Sequence, residues 1–416
     1  MAEENIVILG AGYGGIKTAQ TLNKLIDKHS DYKIILVDKN GYHTLVTQLY
    51  QTAAGTKNLS ETMVPINKIF AQTDVQVVKG QVSNIDIENN CVIVNDDKKI
   101  SFKYLINALG SEPEYFNIKG LAENSVCLKN LIDARKIRCK VNNILEQLSK
   151  QQLKQRQATF VIGGGGLTGV EFAGELAEQL RKTQDNYNIN TDDYKIVLVE
   201  GTQNLLPGMS SKVYLYAQKA LEDSGVEVIT GDLIKEVTNQ TIFLASGREI
   251  KHTTLIWTGG IKGNSVASKF GLKTDDRNRV IVNQYLQSVD NPKVYAVGDS
   301  ALAIDVKSGQ PVVATAQAAM QQGKCAAYNV YADIKGIKKK VYQSALILLL
   351  IHIGCRRAVG EPVNKMKRLK LKGTLAAWIK RLIPLKYSLS LGGVKMLTHN
   401  DKKKVLKLKP KNADIE

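Results

Sequence analysis

Gly10-Ala11-Gly12-Tyr13-Gly14-Gly15 follows directly on the apolar run Ile6-Val7-Ile8-Leu9 and opens a helical pattern running from about Ile16 to His29. Gly10, Gly12 and Gly15 have GxGxxG spacing. After a strand, the first glycine permits a tight turn and the second lets the backbone approach a pyrophosphate. The third lets the helix pack close to the sheet, and the helix N-terminus supplies N–H donors and a positive dipole. A second strand, Lys33–Val37, ends at Asp38, which can accept from ribose hydroxyls. The unit recurs: strand Thr159–Ile162, glycine turn Gly163–Gly169, helix from Val170 to about Lys182, and strand Lys195–Val199 ending at Glu200. Gly164, Gly166 and Gly169 repeat the spacing. An acid at Glu200 bonds the adenosine ribose and repels a 2′-phosphate, which favours NADH over NADPH.

Other residues carry weaker signals. Glu171 follows Gly169 by two residues and is expected in the first turn of the second helix, where an acid complements the helix dipole. Gln317 and Gln321 are i and i+4 on one helix face. A Gln amide can donate to a carbonyl without titrating, although the spacing alone also fits ordinary helix polarity. Cys91, Cys127, Cys139, Cys325 and Cys355 show no CxxC spacing. That argues against a disulfide framework and a zinc site, and suits a reducing compartment. His43, His252 and His352 lack partners at ligand spacing, so no metal is expected; His399 reads as surface.

The elements that must position these residues are two βαβ units about 150 residues apart, which implies two doubly wound α/β domains. A polar helix is expected over Asn130–Gln157, a β-meander between Leu233 and Ile256, and a long helix over Thr315–Ala332. Ala345–Ile353 reads as a buried strand. The composition, 44% hydrophobic and 23% charged, excludes wholesale disorder. Between Lys335 and Lys411 there are 21 Lys/Arg against two acids, Glu361 and Asp401. The rest of the chain is nearly neutral. A basic segment of this kind seeks an anionic membrane surface or a nucleic acid. Within it Leu371, Leu375, Trp378, Ile379 and Leu382 recur at helical spacing, with Lys372, Lys380 and Arg381 off the stripe. Pro384 is expected to end or kink this helix. Leu385, Leu389, Val394 and Leu397 continue apolar, interrupted by Gly392-Gly393 and flanked by Lys386 and Lys395, and Lys402–Lys411 is polybasic. The pattern is that of an interfacial amphipathic anchor; its scarcity of aromatics favours lipid over nucleic acid. No signal peptide is read at the N-terminus, and no stretch approaches the roughly 20 apolar residues of a membrane span.

Two fingerprints could hold two nicotinamides, or one flavin and one nicotinamide. Asn107–Pro113, Ile256–Gly260 and Val294–Asp299 resemble the crossovers and second flavin motif of the two-dinucleotide-binding-domain flavoproteins. Tyr42-His43, Gln51–Gly55, Trp257–Asn264 and Thr315–Gly323 resemble type II NADH:quinone oxidoreductases, and the last contains that family's AQxxxQ motif. The resemblance covers roughly residues 5 to 332. It implies two Rossmann-like domains: an FAD-binding domain over 1–112 and 264–334, and an NADH-binding domain over 113–263. A basic membrane-association domain over 335–416 would follow. It implies non-covalent FAD held by Gly10, Ala11, Gly12, Tyr13, Gly14, Gly15, Asp38, Lys39, Val82, Gly298 and Asp299. NADH would meet Gly164, Gly165, Gly166, Gly169, Glu171, Glu200, Gly259 and Gly260. Glu171 would be the catalytic residue, orienting groups or helping proton delivery; Gln317 and Gln321 would bind a membrane quinone, menaquinone or ubiquinone. The expected enzyme is monotopic, on the cytoplasmic face of the cell membrane, non-pumping, and compatible with a homodimer. Two rivals share these motifs: a soluble NADH-dependent flavoprotein oxidase or carrier-protein reductase, and a redox-sensing polyanion-binding module.

Overall fold

Short β-branched runs make the central strands. Ile6–Leu9 and Ile34–Val37 are buried on both faces, as parallel strands covered by helices are. The structure is a computed structural model that describes residues 4–152, 157–267, 271–345, 348–354, 356–362 and 371–392. Cys355, Val394, Lys395, Leu397, His399 and the polybasic Lys402–Lys411 lie outside the described residues, as do residues 153–156 of the polar helical stretch.

The chain divides into two compact units. The first comprises residues 1–43, 64–112 and 261–346; the second comprises 44–63, 113–260 and 347–416.

In the first unit a five-stranded parallel sheet runs in the order Val294–Ala296, Tyr104–Asn107, Glu4–Leu9, Tyr32–Asp38, Gln76–Lys79. The strand Glu4–Leu9 is central, with later strands on both sides. Its carboxyl end is therefore a switch point, where open α/β sheets bind ligands. The helix Tyr13–Leu25 leaves that end. A three-stranded antiparallel meander covers Val82–Asp86, Cys91–Val94 and Lys98–Ser101. The helix Ala316–Lys335 crosses the first helix at a glycine contact: a Cβ on Gly323 would lie 2.4 Å from the Gly14 carbonyl oxygen. Gly14 thus serves helix packing.

The second unit repeats the plan. Its parallel sheet runs Val126–Cys127, Thr254–Trp257, Ala158–Gly163, Tyr194–Glu200, Val226–Thr230. The helix Leu167–Tyr187 leaves the end of the central strand, and a meander covers Ile234–Val237, Thr241–Leu244 and Glu249–Lys251. The polar helix spans Leu131–Ser149 behind an Asn130 cap that accepts from the Asp133 N–H at 3.0 Å.

Later in the chain, Leu348–Ile353 and Arg357–Pro362 pair antiparallel, and Leu371–Lys372 joins them. The final helix, Gly373–Gly392, runs through Pro384. Of the two expected outcomes at Pro384, an end or a kink, the end is therefore corrected. Ala376 and Ala377 are buried with Leu350 and Ala358, and Leu391 is buried beyond the proline, so packing on both sides overrides the local penalty.

Candidate active site

In the first unit the Gly10 turn has three differently placed glycines. Gly10 has φ +94°, and a Cβ there would lie 2.4 Å from the Ala108 carbonyl oxygen. A Cβ on Gly15 would lie 1.9 Å from the Gly10 carbonyl oxygen. A Cβ on Gly12 would meet nothing within 4 Å. Protein packing therefore demands Gly10 and Gly15, while the space over Gly12 is open. The helix beginning at Tyr13 has no side-chain cap among the described residues and no acid in its first turn, so neither offsets its N-terminal dipole. Asp38 Oδ2 accepts from the Ala11 N–H at 2.6 Å, and Oδ1 from the Asn40 N–H at 2.7 Å. Burial pushes the Asp38 carboxyl up, and these two bonds oppose the shift. Each oxygen keeps a lone pair for a ligand hydroxyl. The Gly80 N–H donates to the Asp38 carbonyl at 2.9 Å, which brings the start of the Val82 strand alongside; Val82 is buried and Lys39 exposed.

His43 was not singled out for this site from its sequence position. It is fully buried, and Nδ1 lies 2.8 Å from the Ala11 carbonyl oxygen. A carbonyl only accepts, so Nδ1 carries the proton. The ring also meets Tyr13 edge-on at 4.9 Å. His43 thus pins the glycine turn from behind. Burial pushes its pKa down to about 4. Above the ordinary value of 6.5 this contribution to stability is complete. It is lost as the pH falls toward 4, because the unfolded chain takes up the proton first. Between near pH 7 and near pH 5, urea unfolding is expected to show a loss about 2 kcal/mol larger than in a His43→Gln variant. Equal losses in the two proteins would remove this role.

A cavity of about 250 Å³ in the same unit is lined by Ser111, Lys262, Arg277, Asp299, Thr315 and Gln322, among others. Ser111 Oγ donates to Asp299 Oδ2 at 2.5 Å, and the Gly298 N–H donates to Gln322 Oε1 at 2.6 Å. Gln322, next to the motif glutamine, was missed because only burial distinguishes it. Gln317 is half-buried, and its amide has no hydrogen-bond partner among the described residues. Gln321 pairs with the Ala345 backbone through two bonds.

The second unit reproduces the turn. Gly164 has φ +105°, and a Cβ there would lie 2.4 Å from the Gly259 Cα. A Cβ on Gly169 would lie 1.9 Å from the Gly164 carbonyl oxygen, and one on Gly166 would meet nothing within 4 Å. Glu200 Oε2 accepts from the Gly165 N–H at 2.6 Å, the counterpart of the Asp38–Ala11 bond. Its Oε1 accepts from the Thr202 N–H and hydroxyl at 2.8 and 2.9 Å. Thr258 Oγ1 reaches the Gly163 and Gly164 carbonyls, while Gly259 and Gly260 lie flat against the rings of Trp257 and Phe116.

Glu171 is the fifth residue of its helix, past the first turn where it was expected. It is 7% exposed and belongs to a buried polar group. Lys380 Nζ bonds Glu171 Oε1 at 2.7 Å, and the His352 N–H donates to the same oxygen at 3.2 Å. Lys380 also donates to the Leu350 carbonyl at 2.5 Å. The expected placement of Lys380 on the headgroup side is therefore corrected: it turns inward to a carboxylate. His352 Nε2 lies 3.3 Å from the Ala377 carbonyl oxygen, so it carries the ring proton, and Nδ1 accepts from the Tyr50 hydroxyl at 2.7 Å. Burial, aided by Lys380, pushes the His352 pKa down. Burial, aided by Glu171 and Glu175, holds the Tyr50 hydroxyl well above its ordinary range. One turn on from Glu171, Glu175 accepts from Thr56 Oγ1, and burial raises its pKa. Gly174 lets the strand carrying His352 approach: a Cβ there would lie 2.7 Å from the Gly354 nitrogen. The Glu171 contacts join segments far apart in sequence, and no local pattern announces them.

The chain is similar to several known proteins along most of its length. A type II NADH:quinone oxidoreductase of Staphylococcus saprophyticus is 28% identical over 397 residues, covering 94% of this chain and 96% of that protein. The Staphylococcus aureus protein of the same name is 27% identical over 397 residues, with the same coverage. Among solved structures, NDH2 from Plasmodium falciparum in complex with NADH superposes with a TM-score of 0.82 at 20% identity, covering 92% of this chain and 94% of that one. The sulfide:quinone oxidoreductase of Aquifex aeolicus gives a TM-score of 0.78 at 20% identity, covering 97% and 95%. The pyridine nucleotide-disulphide oxidoreductase family matches residues 4–323, and with its two glycine turns each tied to a strand-end acid, the chain belongs to that family.

Proposed function

We propose that the protein is an NADH:quinone oxidoreductase that binds FAD at the Gly10 turn and NADH at the Gly164 turn and reduces a membrane quinone. The observation that carries this reading is the duplicated turn, in which Gly12 and Gly166 face open space before an uncapped helix. A methyl group at either position would fill only the room a pyrophosphate needs. The names of the staphylococcal relatives support the substrate pair. The first unit fits a flavin: Gly12, Asp38 and the Asp299-lined cavity supply an anion site, a ribose acceptor and a polar recess.

Bound FAD would supply the two-electron chemistry that links hydride donation by NADH to quinone reduction. The chain's own residues orient and protonate. The two helix N-termini hold pyrophosphates, and Asp38 and Glu200 hold riboses. Gln317 donates its amide to a quinone carbonyl. Quinol formation consumes two protons, and Glu171, a carboxylate oriented by Lys380 and the His352 N–H, is the group we assign to accepting protons and passing them on.

The acceptor class also rests on the last helix. Leu375, Trp378, Leu382, Leu385 and Leu389 follow three- and four-residue spacing, and all are exposed, Leu375 and Trp378 at 62% each. No helix among the described residues is long and apolar enough to cross a membrane. An exposed apolar stripe beside Arg381 and Lys386 suits the surface of an anionic bilayer, on which the enzyme would be peripheral.

The test is anaerobic mixing with NADH or NADPH, followed by a quinone analogue, with the flavin absorbance followed throughout. NADH should bleach the flavin far faster than NADPH, Glu200→Ser should narrow the gap, and the quinone should restore the colour. A protein that takes up no flavin, or whose reduced flavin ignores the quinone, would overturn the proposal.

A further inference from the structure

Two side-chain amides on the Ala316–Lys335 helix grip the same returning segment. Gln321 Nε2 donates to the Ala345 carbonyl at 3.1 Å, and the Ala345 N–H donates to Gln321 Oε1 at 2.9 Å. Eight residues on, Asn329 Nδ2 donates to the Lys340 carbonyl at 2.9 Å, and the Lys340 N–H donates to Asn329 Oδ1 at 2.7 Å. Between these clamps the Tyr342 N–H donates to the Gln284 carbonyl at 2.8 Å. The earlier helix residue pairs with the later segment residue, so the segment runs back antiparallel along the helix. The segment is long enough: eight helical residues advance about 12 Å, and five residue steps of chain span at most about 16 Å. A primary amide with one donor and one acceptor engaged on a single residue reproduces the paired bonds of a neighbouring strand.

Asn329 is fully buried and also donates to the Tyr285 carbonyl at 2.9 Å. Its role is structural, and Gln321 copies its geometry. Gln317 lies on the same helix face one turn earlier, with its amide unengaged among the described residues. The glutamine pair that one sequence motif groups is therefore divided by its bonding. A ligand could recruit Gln321 only by breaking both bonds to Ala345.

We infer that Gln321 is a positioning residue, half of a two-amide clamp that fastens residues 340–345 to the helix, and that Gln317 alone donates to the quinone. The second clause rests on the function proposed above; the first does not.

The experiment uses the full-length holoenzyme, with amide hydrogen exchange read at Ala345 and steady-state kinetics read with a quinone analogue. Gln321→Met should speed exchange at Ala345 about tenfold, since the N–H loses its acceptor. Gln321→Glu keeps an acceptor oxygen and should hold exchange near that of the native protein. Gln317→Met should leave Ala345 untouched and raise the quinone KM about tenfold, the effect of losing one donor. Unchanged Ala345 exchange in Gln321→Met would overturn the clamp. A quinone KM raised as much by Gln321→Met as by Gln317→Met would overturn the division of roles. A normal quinone KM in Gln317→Met would overturn the quinone clause while the exchange data still decide the clamp.

Discussion

Gly166→Ala is expected to leave the thermal midpoint where it is while weakening NADH binding about a hundredfold, equivalent to about 2.7 kcal/mol. The backbone at Gly166, with φ −72° and ψ −170°, suits alanine, and a Cβ there meets nothing within 4 Å among the described residues. The added methyl group therefore costs the empty protein nothing. It occupies the space through which the backbone must approach a pyrophosphate. Gly169→Ala should behave oppositely. Its Cβ would lie 1.9 Å from the Gly164 carbonyl oxygen and 2.7 Å from Thr258 Oγ1, and backbone on one side cannot yield. That variant should lose about 3 kcal/mol or more of stability through overpacking. Calorimetry and NADH titration on the two variants separate the roles. If Gly166→Ala unfolds as early as Gly169→Ala, the open position is structural and the binding argument fails.

The second large effect is expected at Lys380. Lys380→Met leaves a nearly buried Glu171 without its cation and the Leu350 carbonyl without its donor. Removing one partner of a buried pair costs about 3–5 kcal/mol, because the remaining charge stays desolvated. Glu171→Gln combined with Lys380→Met should recover much of that loss, since a neutral amide has no need of a cation. The kinetic effect should be selective. Flavin reduction by NADH should stay within about threefold, while reoxidation by quinone slows about a hundredfold, the scale of a lost acid–base group. Urea unfolding and the two half-reactions provide the measurements. Losses that simply add in the double variant would show that the pair is not coupled.

The glycine turns were legible in the sequence because local geometry dictates them. Gly10 needs its positive φ, Gly15 touches the Gly10 carbonyl, and the acid ending the next strand lies beside the turn by strand register, Leu9 against Val37. The same holds for Gly164, Gly169 and Glu200, where Gly163 pairs with Val199. The surroundings of Glu171 were not legible. His352 and Lys380 bond it, and Tyr50 bonds His352, from three segments distant in the chain; helical spacing assigned Lys380 to solvent, where lysines usually are. The grouping of residues 44–63 with the second unit was hidden for the same reason, since its contacts run from Tyr50 to His352 and from Thr56 to Glu175. Pro384 does not end its helix: propensity is a weak prior, and buried Ala376, Ala377 and Leu391 outweigh it.

Pro384 follows Lys380 by four residues. The helix bond that a proline N–H cannot make is therefore the one to the Lys380 carbonyl. The missing bond falls between a turn held by Ala376, Ala377 and the Lys380–Glu171 pair and a stretch of exposed leucines that buried Leu391 holds at its far end. A load on the exposed leucines between these two anchors should be taken up first at the proline, before it shifts the ammonium on Glu171.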